Sequence, residues 1–214
     1  MSAHSRFSSL FPEFGPLVRR VEFRRFPPGE FLCREEEPLT RLYLVLSGEA
    51  KVFRDLGNGR THLFQIYRAG EIVGDIEYFL QIPASCTVRV AKPLEAALIR
   101  MNEIESAGPT GPSICMLLGR ELAKKLHRES RLSSRNVAYP LRVRLAELIL
   151  DGGLANYGRG GIQESADRLG TSARHLRRTL KELETAGLIL RGRESVEVLD
   201  QNAMLRLAEE IYSP

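Results

Sequence analysis

The sequence predicts an α+β protein: an N-terminal β-roll, then a long helix, then a C-terminal winged helix-turn-helix. Three observations lead there. Between Val21 and Arg100 short apolar stretches are separated by glycine-rich turns, the pattern of an all-β sandwich or roll. From Ser113 to about Asn136, Ile114, Leu118, Leu122 and Leu126 recur every four residues, which is helical spacing. Between Ile162 and Gly187 two helical patterns are interrupted at Gly170, and a strand-like alternation follows. The 214 residues exceed the ~100–200 of a typical single domain. They divide into a roll over 1–110, a linking helix and hinge over 111–138 and a terminal domain over 139–214.

Composition narrows the class. Hydrophobic residues make up 43% and charged residues 27% of the chain, ordinary for a folded protein. No apolar run approaches the ~20 residues needed to cross a bilayer, and the N-terminal MSAHSRFSSLFPEF lacks the apolar block of a signal peptide. The expectation is a cytoplasmic protein with no membrane partner. The net charge of +4 is unevenly placed: residues 1–110 carry 14 Lys/Arg against 14 Asp/Glu, and residues 111–214 carry 17 against 13. The excess lies with the helix-turn-helix, as a nucleic-acid footprint should. Cys33, Cys86 and Cys115 are odd in number and widely spaced, which argues against a disulfide framework. Three cysteines are also too few for the usual four ligands of an iron–sulfur cluster. Buried small hydrophobes are the default reading for them, with a redox-sensing thiol as the alternative.

In chain order, Phe7 to Val21 reads as a lead-in helix broken by Pro12 and by Gly15-Pro16. The strands expected next are Val21–Arg25, Phe31–Cys33, Arg41–Ser47, Glu49–Arg54, Thr61–Tyr67, Ser85–Val90 and Leu94–Arg100. Turns fall at Pro27-Pro28-Gly29, Ser47-Gly48, Gly57-Asn58-Gly59 and Ala69-Gly70. Asn58-Gly59 supplies the positive φ angles of a tight hairpin. Gly70 to Val90 differs from plain scaffold: Asp75 and Glu77 stand beside apolar residues, and Ile76 to Leu80 is about one helical turn. The N-terminus of such a turn can hold a phosphate or carboxylate, although carboxylates beside it oppose an anion. The alternative is a simple cap on the roll.

Gly108, Pro109, Gly111 and Pro112 mark a break before the long helix. Its apolar stripe suits a second copy of the same helix, with Leu118, Leu122 and Leu126 at the dimer contact, and it can pack on its own roll at the same time. Tyr139-Pro140 offers a joint, because proline fixes its own φ and discourages helix before it. Leu141 to Leu150 is the next helix, and GGLANYGRGG links it to the helix-turn-helix. There a helix near Glu164 to Leu169 turns at Gly170, and Thr171 or Ser172 can cap its successor. Ala166, four residues before the glycine, is small enough for two helices to cross closely, and Leu169, Leu176, Leu180 and Leu183 supply the buried side. Arg174, His175, Arg177, Arg178 and Lys181 occupy the remaining face, which suits phosphates and guanine edges in a DNA major groove. The bland reading is a solvated basic face; the Ala-x-x-x-Gly turn and the hydroxyl cap argue against it. Leu188-Ile189-Leu190 and Val196 to Leu199 then form a wing, with Arg191 and Arg193 at its tip for backbone phosphates. Asp200 caps a last helix from Gln201 to Tyr212.

LYLVLSGEAKVFR, RAGEIVGDIEYF and ADRLGTSARHLRRTLKELETAGLI, in this order, resemble the cyclic-AMP receptor / fumarate-nitrate regulator (CRP/FNR) family of bacterial transcription factors. The resemblance covers nearly the whole chain. It is nearest to the branch typified by the YeiL regulator, on the LGNGR turn and the RHL at Arg174 to Leu176. The family implies a cyclic-nucleotide-binding-like roll, a homodimer through the long helices, RNA polymerase as a candidate partner, and two recognition helices on a palindromic double-stranded DNA site. It places DNA contacts on Thr171, Ser172, Arg174, His175, Arg177, Arg178, Lys181, Arg191 and Arg193, and an effector against Gly74, Asp75, Ile76, Ser85, Cys86 and Thr87.

The departures matter as much as the matches. Members that bind cyclic AMP carry a glutamate for the ribose where this chain has Asp75, and an arginine for the phosphate where it has Ala84. Without that cation, cyclic AMP is not expected to bind; the effector is unnamed, and a redox input is the alternative. No cysteine precedes Cys33, so an N-terminal cluster is not expected, and none of His4, His62, His127 and His175 is marked as a haem ligand. On the recognition helix Ala173-Arg174 replaces the usual base-reading Arg-Glu pair, while Arg178 matches a family arginine, so Arg174 and Arg178 are expected to read bases of an unfamiliar half-site.

Three functions compete. The first is a dimeric transcription factor whose roll passes a signal to the DNA-binding domain through a two-state change. The second is a metal-dependent enzyme on a cupin-like roll; it needs clustered His and Glu ligands, and the roll offers only His62. No catalytic residue and no metal site are therefore expected. The third is a small-molecule-binding roll that controls a protein partner, with incidental DNA affinity. Salt dependence without sequence preference would mark that third case.

Overall fold

The computed structural model describes residues 2–55, 61–152, 154, 161–192 and 195–209. The chain forms two compact units, Met1–His127 and Arg128–Pro214. The boundary falls inside the long helix expected to link the domains over 111–138: its residues 111–127 belong with the roll.

In the first unit, helix α1 (Ala3–Leu10) and a 3-10 segment (Pro12–Arg20) replace the single lead-in helix expected from Phe7 to Val21. Phe7, Phe11, Phe14 and Leu17 from this segment are buried with Leu42, Leu44, Leu46, Ile72 and Ile99 of the sheet. The strands are β1 (Glu22–Phe26), β2 (Phe31–Cys33), β3 (Arg41–Asp55), β4 (Thr61–Tyr67), β5 (Ile72–Val73) and β6 (Thr87–Arg100). They form one sheet in the order β1-β6-β3-β4, with β2 also on β6 and β5 also on β3. Two expected pairs of short strands are thus single long ones, β3 and β6. The turn expected at Ser47-Gly48 is a bend inside β3, where the pairing with β6 slips three times between Val45 and Ala50. Gly48 has φ +89, and a Cβ there would stand 2.2 Å from the Pro93 carbonyl oxygen. The glycine marks a close backbone approach, and only glycine fits it. The expected Asn58-Gly59 reversal lies outside the described residues.

Helix α2 (Asp75–Leu80) follows β5, and a short α3 (Met101–Glu105) leads through Gly108–Thr110 to the long helix α4 (Gly111–Ala138). Ile114, Leu117 and Leu118 of α4 are buried in the roll's own core. That corrects the dimer assignment of Leu118, which is fully covered within its own unit, and Leu122 is half-buried. The exposed line is another one: Met116, Gly119, Ala123, Leu126, Ser130, Ser133 and Val137 all face solvent, spaced alternately three and four residues apart. Such 3-4 spacing is the seam of a coiled coil. Leu126 is 73% and Val137 88% exposed, large values for apolar side chains.

The second unit holds α5 (Leu141–Leu150), α6 (Gly161–Arg168), α7 (Ala173–Thr185), the hairpin β7 (Ile189–Arg191) with β8 (Val196–Val198), and α8 (Gln201–Glu209). One core joins Leu145, Ala146, Ile149, Ala166, Leu176, Leu180, Ile189 and Met204. The Asp200 carboxylate accepts from the Ala203 N–H at 2.8 Å and caps α8 as expected. The predicted end of α8 at Tyr212 lies outside the described residues, as does the linker between 155 and 160. The break expected at Tyr139-Pro140 is present, since α4 ends at Ala138 and α5 starts at Leu141. It is braced by Arg144, whose guanidinium donates to the carbonyls of Tyr139 (3.0 Å) and Leu169 and to the side chain of Asn136. Burial and the neighbouring Arg135 lower the Arg144 pKa. The Arg135 guanidinium in turn pairs with Glu147 on α5.

Candidate nucleic-acid interface and sensor pocket

The turn between α6 and α7 follows from three small residues. Ala166 is fully buried, Gly170 adopts φ +58, and the Thr171 N–H donates to the Ala166 carbonyl at 2.9 Å. Of the two candidate caps, Ser172 is the one used: its Oγ accepts from the His175 N–H at 3.1 Å, while Thr171 Oγ1 meets His175 Nδ1 at 3.3 Å. Leu176, Thr179, Leu180 and Leu183 face the core. Arg174, His175, Arg177, Arg178 and Lys181 are all exposed. Arg174, Arg178 and Lys181 fall four and three residues apart, on one line of the helix. Arg178 has one neighbouring carboxylate, Glu182 at 3.5 Å, with both side chains more than 60% exposed. An ion pair that exposed holds Arg178 only weakly, so α7 presents a rigid basic ridge on a neutral, buried base.

The wing is different. Arg191, expected at the wing tip, lies in β7, and its guanidinium is bound to the Glu184 carboxylate on the last turn of α7, at 2.7 Å through Nε and 2.6 Å through Nη2. Its backbone N–H donates to the same carboxylate at 3.2 Å. These bonds, with the charge of Arg191, hold the Glu184 pKa below its usual range. Arg191 therefore braces α7 to the wing, a bond that competes with the phosphate contact expected of it. Arg193 lies outside the described residues.

In the roll, the residues expected around an effector lie at the start of α2 and on the segment entering β6, and most of their polar groups are partnered within the chain. Gly74 caps α2 at φ +97. Asp75 is 2% exposed and its carboxylate accepts from Lys125 Nζ on α4 at 2.7 and 2.9 Å. Burial pushes the Asp75 carboxyl above its usual range, and the Lys125 ammonium pulls it part of the way back. Ile76 has a partly exposed side chain, and its backbone N–H donates to the Asp75 carboxylate at 3.1 Å. Ser85 donates both its backbone N–H (2.8 Å) and its hydroxyl (2.5 Å) to the Glu77 carboxylate. Thr87 Oγ1 accepts from the Glu35 N–H at 3.1 Å. Ala84 is 2% exposed and its backbone is bonded to Glu36 and Glu37. Cys33 and Cys86 lie side by side, the Cys33 thiol donating to the Cys86 carbonyl at 3.5 Å. Burial pushes the Cys33 thiol up to about 12 and raises Cys86 as well, so both are protonated and neither is an activated nucleophile. All three cysteines are half-buried and free.

Sequence reasoning missed Lys125. It stands beside Lys124, and the default place of a lysine pair is solvent; only the fold shows that its side chain is 12% exposed. Among the described residues no group of His, Cys, Asp and Glu could hold a metal ion. No helix among them is long and apolar enough to cross a membrane.

Comparison with known proteins divides the chain along the same lines. Residues 23–107 match the cyclic nucleotide-binding domain, and residues 143–207 match the Crp-like helix-turn-helix domain. A CRP-like cAMP-activated global transcriptional regulator of Mycobacterium tuberculosis is 24% identical over 202 residues, covering 90% of each chain. The CRP-like protein Clp of Xanthomonas euvesicatoria pv. vesicatoria is 26% identical over 181 residues, covering 78% of this chain and 79% of Clp. Among solved structures, the c-di-GMP responsive global regulator CLP of Xanthomonas campestris shares the fold with a TM-score of 0.74 at 23% identity, over 89% of this chain and 99% of that one. A CRP/FNR-family transcriptional regulator of Thermus thermophilus shares it at 0.67 and 21% identity, over 88% and 98%.

Proposed function

We propose, since this chain belongs to the CRP/FNR family of DNA-binding transcriptional regulators, that α7 reads a palindromic operator as one half of a homodimer. The observation that carries this reading is the ridge of Arg174, Arg177, Arg178 and Lys181, exposed along one capped helix whose other face is core. Arg174 and Arg178 read base edges, while Thr171, Ser172, His175, Arg177 and Lys181 position the helix on the phosphates. The dimer forms along the exposed line of Met116, Ala123, Leu126 and Val137, with Gly119, Ser130 and Ser133 letting the two helices approach closely. The protein acts in the cytoplasm, RNA polymerase is the partner that an operator-bound dimer would touch, and the chain falls in the YeiL-type branch on its LGNGR turn and Arg174–Leu176.

Cyclic AMP is not the effector of this reading. Ala84 offers no cation to a phosphate, and the donors of Ser85 already serve Glu77. A redox input through Cys33 or Cys86 is disfavoured by their raised pKa values.

Selection of a binding site from random duplex DNA, followed by gel-shift titration, tests the assignment. The expected product is a two-fold symmetric site. Arg174→Ala and Arg178→Ala should each cost about 1–3 kcal/mol on that site and much less on random DNA. Binding that depends on salt but shows no sequence preference would favour instead a roll that controls a protein partner.

A further inference from the structure

The polar side chains expected to meet an effector in the roll are partnered by the chain itself. The Lys125 ammonium donates to Asp75 Oδ2 at 2.7 Å, to Asp75 Oδ1 at 2.9 Å and to the Ile72 carbonyl at 2.7 Å. An ammonium has three hydrogens to give, and these acceptors take all three. The nitrogen also lies 4.8 Å from the centre of the Tyr67 ring, within the range of a cation–π contact. Carboxylate, carbonyl and aromatic face together form a complete cage for a primary ammonium. It is a buried one: Asp75 is 2% and Lys125 12% exposed. Beside it, Glu77 takes both donors of Ser85, so the anion-holding groups are spent as well.

We propose that Lys125 is a ligand in cis. The roll carries a binding site for a primary ammonium, and the long helix fills it, closing the pocket without a small-molecule effector. An anion approaching this site would meet two carboxylates and no free donor from Ser85; an amine would meet a cage already occupied. The tie holds α4 at Lys125, two residues before the first unit ends at His127. This deepens the regulator reading, and rests on it only for the claim that this pocket governs DNA binding.

The test is to vacate the cage and refill it. In Lys125→Ala the stem and ammonium are gone and Asp75 is left buried without its cation. The melting temperature of the full chain should fall by about 10 °C. Saturating n-propylammonium chloride should recover much of the loss, with shorter and longer alkylammonium ions less effective. Tetramethylammonium, which has no N–H to donate, should not. The double variant Lys125→Ala with Asp75→Asn should show no recovery, and wild type should not respond to the amine. Lys125→Met, which keeps the packing of the stem, is the second arm. Its loss should be relieved by adding Asp75→Asn, because the orphaned carboxylate is then removed. The proposal is overturned if Lys125→Met melts with wild type, or if propylammonium raises wild type or the Asn double variant as much as Lys125→Ala. These melts are read without DNA. Failure of the ligand-free wild type to select any DNA sequence would count against the regulator reading and leave the cage intact, whereas specific DNA binding without amine rescue sinks the cage alone.

Discussion

Removing Arg144 should loosen the second unit. The guanidinium donates to the Tyr139 carbonyl at 3.0 Å, to the Leu169 carbonyl and to Asn136. It thereby binds the end of α4, the break before α5 and the turn that sets α7. Leu169 is 6% exposed, so its carbonyl has little recourse to water once the donor is gone. Hydrogen bonds with a charged partner contribute about 1.5–3 kcal/mol each. Two of the three share one nitrogen and the group is partly solvated, so the total for Arg144→Ala is about 3 kcal/mol rather than the full sum. For a unit of under a hundred residues that is a fall of roughly 10–20 °C in Tm. Arg144→Lys should recover less than half, since one ammonium cannot span acceptors that a planar fork reaches together. Differential scanning calorimetry resolves the transition of this unit from that of the roll. A Tm for Arg144→Ala within about 2 °C of wild type, below the shift expected for even one lost bond, would refute the bracing role.

Other expectations separate the parts of the molecule. Leu126→Asp should convert a dimer to a monomer in analytical ultracentrifugation, whereas Leu118→Ala should leave the stoichiometry unchanged and destabilise the roll by about 2–5 kcal/mol, as for other buried leucines. Arg191→Ala should weaken DNA binding by less than about threefold in a gel shift, under the ~1–3 kcal/mol of a base-reading arginine such as Arg178, because Arg191 is already committed to Glu184. The same pair makes a pH prediction. Arg191 lowers the folded pKa of Glu184, so the stabilisation is present above the unfolded pKa and is lost as pH falls through the folded value. Carbon-detected NMR titration should find the Glu184 carboxyl returning to the ordinary glutamate range in Arg191→Ala.

What was legible in the sequence was local. The cap, the glycine turn and the Leu176/Leu180/Leu183 face of α7 are set by residues within a few positions of each other, and they stand in the structure where the pattern placed them. The strands β2 and β4 also match residue for residue. The misreadings concern partners far apart in the chain. Gly48 looks like a turn in sequence, and becomes a bend in a long strand only because Pro93 lies across from it. Leucines at Leu118 and Leu126 look equivalent in a four-residue repeat, but successive fours drift around a helix of 3.6 residues per turn. The roll therefore takes Leu118 and leaves Leu126 to solvent. The exposed seam escaped notice because glycine, alanine and serine occupy most of it, and an apolar count does not see them. Arg191 was placed at the wing tip for phosphates and Lys125 was passed over; each has a carboxylate that the fold, and not the spacing, brings to it.

The departures in the roll are consistent with one another, and that consistency is the stronger reason to regard its pocket as closed. Ala84 stands where cyclic-AMP binders place an arginine, and it is 2% exposed with its backbone held by Glu36 and Glu37. A guanidinium at that position would have to be accommodated in a packed wall, so restoring the cation alone would not restore a phosphate site. With no external anion to serve, the N–H and hydroxyl of Ser85 would be half-buried donors only partly satisfied by water. Glu77 supplies the acceptor for both. Its charge, together with that of Asp75, then calls for a cation in the same region, and Lys125 is the one the long helix provides. Ser85, Glu77, Asp75 and Lys125 thus form one linked set of donors, acceptors and charges. Ala84→Arg should therefore fail to create cyclic-AMP binding unless Glu77 is also replaced, and isothermal titration of Ala84→Arg beside the Ala84→Arg, Glu77→Gly pair decides it. Binding by the single variant would show that the Ser85 donors are free to leave Glu77, and the argument for a self-filled pocket would fall.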